Sequence, residues 1–144
     1  MSATPYNSIF LHGFRATGKS TTGRLLAAKL GFEYIEMDKE IEKIAGMPIS
    51  ELTKNGTDWQ KMRQLESDLF AKLVNAPNLV VSTGGGVCAN NIVKEGSDQA
   101  FGQINTQIAQ ISKQALHIVL TAYTDTIIDR IKQDEIAKAE STRP

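Results

Sequence analysis

Cysteine is nearly missing from this 144-residue chain, which carries one, Cys88. A single thiol closes no intramolecular disulfide, and such usage fits a reducing compartment, so a cytoplasmic location is expected. Neither sign of charge is in surplus: 16 Lys and Arg face 16 Asp and Glu. That balance gives no reason to expect a nucleic acid or an anionic membrane as partner. No apolar run reaches the length that spans a bilayer, and the polar start MSATPYNS is unlike a secretory signal. What is present is ordinary for a globular protein, with 41% apolar and 22% charged residues. The length suits one compact domain over residues 1–144, expected to be monomeric.

Short apolar runs alternate with helical patterns. Ser8–His12 reads as a buried strand closed by Gly13. Thr21–Leu30 reads as a helix, with Thr22, Leu26 and Leu30 at i, i+4, i+8 and Gly31 as its stop. A second strand covers Phe32–Glu36, followed by a short helix over Lys39–Ala45 with Asp38 as its N-cap. Pro48–Thr53 forms another short turn of helix, and Asp58–Asn75 a longer one with Met62, Leu65, Leu69 and Leu73 as its apolar stripe. Leu79–Ser82 is a third strand and Leu116–Leu120 a fourth, and a further helix begins at Thr124. Between them, Ile104, Ile108 and Ile111 set a surface helix over 100–112. The alternation predicts an α/β fold with a parallel sheet covered by helices on both faces.

The segment Gly13-Phe14-Arg15-Ala16-Thr17-Gly18-Lys19-Ser20 fits G-x-x-x-x-G-K-S/T, between a predicted strand and a predicted helix. Glycines let the backbone wrap phosphates closely, and successive N–H groups at a helix start point at them. Lys19 suits the β and γ oxygens of a nucleotide, and the Ser20 hydroxyl suits Mg²⁺. Nucleotide binding follows, with Gly13, Arg15, Ala16, Thr17, Gly18, Lys19, Ser20 and Thr21 as its residues.

Open parallel sheets bind ligands beyond the carboxyl ends of their strands. Glu36-Met37-Asp38 and Thr83-Gly84-Gly85-Gly86 fall at two such ends, so they are expected to face the phosphate loop. A carboxylate placed there orients and deprotonates an attacking hydroxyl. Three glycines in a row contribute nothing to packing, which suggests backbone amides set against a ligand. On the helical pattern alone Arg63 is a solvated surface residue, and Glu66 an exposed partner for it. His12 and His117 read as packed structural histidines. Cys88 has no basic neighbour and reads as inert.

In order along the chain, GFRATGKST, EMDKEIEKIAGM, MRQLESDLF, STGGGV and a closing Arg-Pro resemble the shikimate kinase family, over about residues 9–144. The stretch from Asn55 to Arg63 is similar to the kinase domain of fungal arom proteins. The resemblance implies a three-layer α/β/α P-loop kinase with a five-stranded parallel sheet. It implies ATP- and Mg²⁺-dependent phosphorylation of the 3-hydroxyl of shikimate, on the route to aromatic amino acids. Carried over by position, Lys19, Asp38 and Arg143 are catalytic, Arg143 from the lid. Asp38, Arg63, Gly84, Gly85 and Gly86 bind shikimate, Ser20 and Glu36 lie at the metal, and Arg130 lies beside adenine.

The chain departs from the family pattern in four places. Glu36 replaces an aspartate, and Met62 an aromatic residue. The stretch 87–115 is longer than usual, and the chain stops where the lid begins. Two other readings stay open: a gluconate kinase-like enzyme of the same fold, or a nucleotide-binding domain without catalysis.

Overall fold

A computed structural model describes residues 5–84, 105, 106, 108, 109, 112 and 114–141. Four parallel strands form one sheet: β1 (Ser8–His12), β2 (Glu33–Glu36), β3 (Leu79–Ser82) and β4 (Ala115–Val119), in the order β2-β3-β1-β4. The helices are α1 (Lys19–Leu30), α2 (Met37–Ala45), α3 (Ile49–Leu52), α4 (Gln60–Leu73) and α5 (Thr124–Ser141). Four of the five strands implied by the resemblance thus fall among the described residues. β3 lies between β1 and β2, so the tips of β1 and β2 stand two strand spacings apart, about 10 Å. The register sets Leu11 and Glu36 against the same residue, Ser82.

Side chains alternate across the strands, so the sheet is buried on both faces. Phe10, Leu79 and Val81 point to one side, where they pack with Met37, Ile41, Met62, Leu69, Phe70 and Leu73 of α2 and α4. Phe10 and Phe70 meet edge to face at 5.6 Å. Ile9, Leu11 and Val80 point to the other side, under α1.

Several boundaries differ from the sequence pattern for identifiable reasons. The inward face of α1 is Gly23 and Ala27, while Thr22 is exposed. A Cβ on Gly23 would stand 2.6 Å from Cε1 of Tyr34, so the helix rests on the sheet where it has no side chain. α2 opens at Met37 with Glu36 in the cap position and no side-chain cap bond. Asp38 therefore sits in the first helical turn instead of capping it. Of the helix expected over 100–112, residues 105, 106, 108 and 109 are helical. This segment is not confined to the surface, because Asn105 is fully buried and accepts a hydrogen bond from Ser67 Oγ at 2.8 Å.

His12 and His117 are packed, as expected, and joined to each other. His12 Nε2 lies 3.0 Å from His117 Nδ1, His12 Nδ1 3.2 Å from Thr83 Oγ1, and His117 Nε2 3.1 Å from Ser112 Oγ. With both rings neutral, each imidazole donates once and accepts once, and the protons run along the chain in a single sense. One terminal hydroxyl is then free to bond a carbonyl, that of Leu11 or that of Ala109. Burial, the neighbouring His117 and the Lys19 charge push the His12 pKa down to about 4, and burial lowers that of His117.

The sign of the stability effect follows. An unfolded histidine takes up a proton near pH 6.5, whereas folded His12 resists until about 4, so stability falls as pH drops between those values. Urea denaturation should show about 2 kcal/mol lost between pH 7 and pH 5, and His12→Gln should flatten that slope. A wild-type midpoint constant over this range would contradict the neutral pair.

Candidate functional site

The loop from Gly13 to Gly18 owes its shape to three residues with positive φ: Gly13 at 141°, Ala16 at 64° and Gly18 at 94°. A side chain on Gly13 would collide with the carbonyl oxygen of Leu120. Thr17 Oγ1 donates to the Phe14 carbonyl at 2.7 Å and closes the loop on itself. Gly18 stands at the N-cap of α1 without a side-chain bond to the first turn. The leading N–H groups of the helix are thus left for an anion, and the dipole favours one. Arg130 of α5 braces the loop from outside, its Nη1 donating to the Ala16 carbonyl at 2.9 Å.

A crevice of about 630 Å³ opens over this loop. Arg15, Ala16, Gly18, Lys19, Ser20 and Thr21 form one wall, and Glu36, Asp38, Ser82, Thr83 and Gly84 the other. The carboxyl ends of β1, β2 and β3 therefore meet around one space, as the parallel order requires. Gly13 and Thr17 shape the loop from behind without lining the crevice. Gly85, Gly86, Cys88, Arg143 and the stretch 87–104 lie outside the described residues.

Charge across the crevice is balanced by attraction. The Lys19 ammonium bonds the carbonyls of Gly13 and Phe14, the latter at 3.1 Å. Burial lowers its pKa, and the opposite charge of Asp38 works against that. Burial raises the Asp38 carboxyl although the residue is open to the crevice. Lys19 and Arg63 draw it back down, while Glu42 and Glu36 push it further up. A carboxylate made more basic than usual, facing a lysine across the crevice, suits proton abstraction. Glu36 behaves differently. Its burial is outweighed by hydrogen bonds from Ser20, Lys39 and Tyr34 and by the Lys39 charge, so its pKa is lowered.

Arg63 does not line the crevice itself. It lies behind the second wall, its Nη1 2.9 Å from Glu66 Oε1 and its guanidinium 5.0 Å from the centre of the Trp59 ring. The pair is not a surface pair, because the Glu66 side chain is 1% exposed and that of Arg63 15%. A buried pair of this kind adds little net stability, yet breaking it strands a charge, so both partners stay fixed. Glu66 also borders Gly84, where an added Cβ would stand 2.8 Å from Glu66 Oε2 and 3.1 Å from Asp38 Oδ1. One glycine thus separates two carboxylates.

Glu66 and Asp134 are the residues that sequence reasoning missed. Glu66 shares the inward ridge of α4 with Met62, Leu69 and Leu73, a spacing at which a charged residue signals a buried role. Asp134 of α5 reaches the crevice beside the loop, and no local pattern announces it.

Comparison with known proteins decides the family. The profile of the family described as Shikimate kinase matches residues 15–143. A shikimate kinase of Sulfurihydrogenibium sp. is 33% identical over 132 residues, 89% of this chain and 68% of that protein. The chain belongs to the shikimate kinase family. A shikimate kinase of Persephonella marina is 43% identical over 84 residues, 58% of this chain, and this match spans 51% of that relative. The chain thus aligns with about half the length of that first relative. Among solved structures, shikimate kinase from Acinetobacter baumannii in complex with shikimate superposes with a TM-score of 0.73 at 25% identity, covering 90% of this chain and 64% of that one. Shikimate kinase from Aquifex aeolicus shares the fold with a TM-score of 0.55 at 21% identity, over 92% of this chain and 98% of that one. The parallel α/β architecture expected for a P-loop kinase is the one found.

The crowding at Gly84 gives a sharp test. Gly84→Ala should cost about 1–3 kcal/mol, because its methyl group meets two carboxylate oxygens held by α4 and α2. Thermal unfolding measures this, and an unchanged midpoint would mean that the two carboxylates are not held close to Gly84.

Proposed function

We propose that this chain is an ATP-dependent shikimate kinase, transferring the terminal phosphoryl group to the 3-hydroxyl of shikimate. The observation that carries the reading is the placement of Asp38 and Lys19 in one crevice, within electrostatic reach of each other. Family membership and the likeness to a shikimate complex support shikimate as the acceptor.

In this reading the cradle amides and Lys19 hold the β and γ phosphates and offset the charge that spreads over the transferring group. The Asp38 carboxylate accepts the proton of the attacking hydroxyl as its oxygen bonds to phosphorus. The bond from that phosphorus to the β–γ bridging oxygen breaks, and ADP leaves. Arg63, aimed by Glu66 and stacked on Trp59, takes the shikimate carboxylate through its remaining donors. Gly84 gives the substrate a bare backbone edge, and Gly85 and Gly86, next in the sequence, are assigned to the same substrate. Arg130 supports the loop near the nucleobase, and Arg143 supplies further charge from the lid.

Ser20 and Glu36 fit Mg²⁺. Their side chains are hydrogen-bonded to each other and both line the crevice, offering the hard oxygen donors this ion takes. Held there by Ser20 and Glu36, the ion would supply positive charge against that of the phosphates. A reducing cytoplasm suits the single thiol of the chain.

The intact chain should release ADP from ATP when shikimate is added, and not when gluconate replaces it. Asp38→Asn should lower kcat by about 10²- to 10⁴-fold. Equal turnover with gluconate, or none with either, would overturn the assignment. Arg63→Ala should weaken shikimate binding by about 10- to 100-fold in calorimetry, the loss of a charged hydrogen-bonded contact. An unaltered shikimate affinity would remove Arg63 from the substrate site.

A further inference from the structure

Tyr34 takes no part in the chemistry proposed above, yet its hydroxyl lies at the metal side of the crevice. Tyr34 and Glu36 are two apart on β2 and share a strand face. The Tyr34 hydroxyl is 3.0 Å from Glu36 Oε1 and 2.9 Å from Ser82 Oγ. Ser82 Oγ is in turn 3.2 Å from the Lys19 carbonyl in the first turn of α1. An ionised carboxylate only accepts, so the tyrosine proton belongs to Glu36, and the Ser82 hydroxyl is shared between Tyr34 and Lys19.

Besides Ser20, two basic groups on the outside hold Glu36. Arg24 Nη2 is 3.3 Å from Oε1 and Lys39 Nζ 3.1 Å from Oε2, with side chains 59% and 66% exposed. Exposed partners of this kind hold a carboxylate weakly. Tyr34 is different because its ring cannot move. It fills the space left by the missing side chain of Gly23, and Arg24 lies over it at 5.5 Å.

We infer that Tyr34 is a positioning residue, whose hydroxyl holds the Glu36 carboxylate beside Ser20 so that the two present one oxygen site to a divalent cation. Glutamate carries one more rotatable bond than aspartate, and a fixed donor compensates for it. Without the tyrosine hydroxyl, Glu36 keeps Ser20 and the exposed Arg24 and Lys39, which leave its carboxylate free to turn toward solvent. The inference rests on the kinase reading.

The test is Mn²⁺ binding to the intact chain in the presence of ADP, read from the free-ion signal in electron paramagnetic resonance. Tyr34→Phe should raise the Mn²⁺ Kd by about 10- to 100-fold, the range for losing a hydrogen bond to a charged ligand. It should leave the Kd for ADP without metal unchanged. In a Glu36→Gln background the same substitution should have no further effect. An unchanged Mn²⁺ Kd, or additive effects in the double variant, would overturn the role of Tyr34. Equal weakening of metal-free ADP binding would also overturn it, as the mark of a packing role. If the wild-type chain binds neither ADP nor Mn²⁺, the kinase reading fails and takes this inference with it.

Discussion

The register that sets Leu11 and Glu36 against the same Ser82 is the constraint on which the site depends. It brings three strand ends level, so that the phosphate loop leaves β1 beside the acidic turn that leaves β2. Because side chains alternate with a period of two, a slip of one residue in β2 would turn Tyr34 and Glu36 to the α4 side. Burial of both faces prevents the slip, since Val80 fits only under α1 and Val81 only under α4. The same apolar contacts that stabilise the sheet therefore align the chemistry.

Around this frame the charges form an alternating series. Lys19 faces Asp38, Asp38 feels Arg63, and Arg63 is bonded to Glu66. Gly84 stands where Asp38 and Glu66 approach one another and leaves both room. Burial raises the Asp38 carboxyl, and the Lys19 and Arg63 charges on either side draw it part of the way back. Under the proposed function, a substrate with a carboxylate and hydroxyls would meet Arg63 and Asp38 in this order.

Much of this was legible in the sequence, and the reasons differ by element. β1 and β3 are legible with their true ends, because each apolar run is too short for a helix and is closed by glycine or threonine. The loop between β1 and α1 is legible as a turn because Gly13 and Gly18 occupy positive φ. The cap of α2 was misplaced because an aspartate near a helix start has two uses, and only the turn itself shows which. Arg63 and Glu66 looked solvent-facing because local spacing does not show that Trp59 and Gly84 close over them. Asp134 is far from the loop in sequence, so only the fold brings it near.

The contact between Gly23 and Tyr34 also constrains how such a chain can diverge. A side chain at position 23 is excluded by the ring at 34, and shrinking that ring first opens a void under α1. The two positions are therefore tied in order: a descendant can gain bulk in the helix only after losing it in the strand. The path passes through an intermediate that has already given up the phenol.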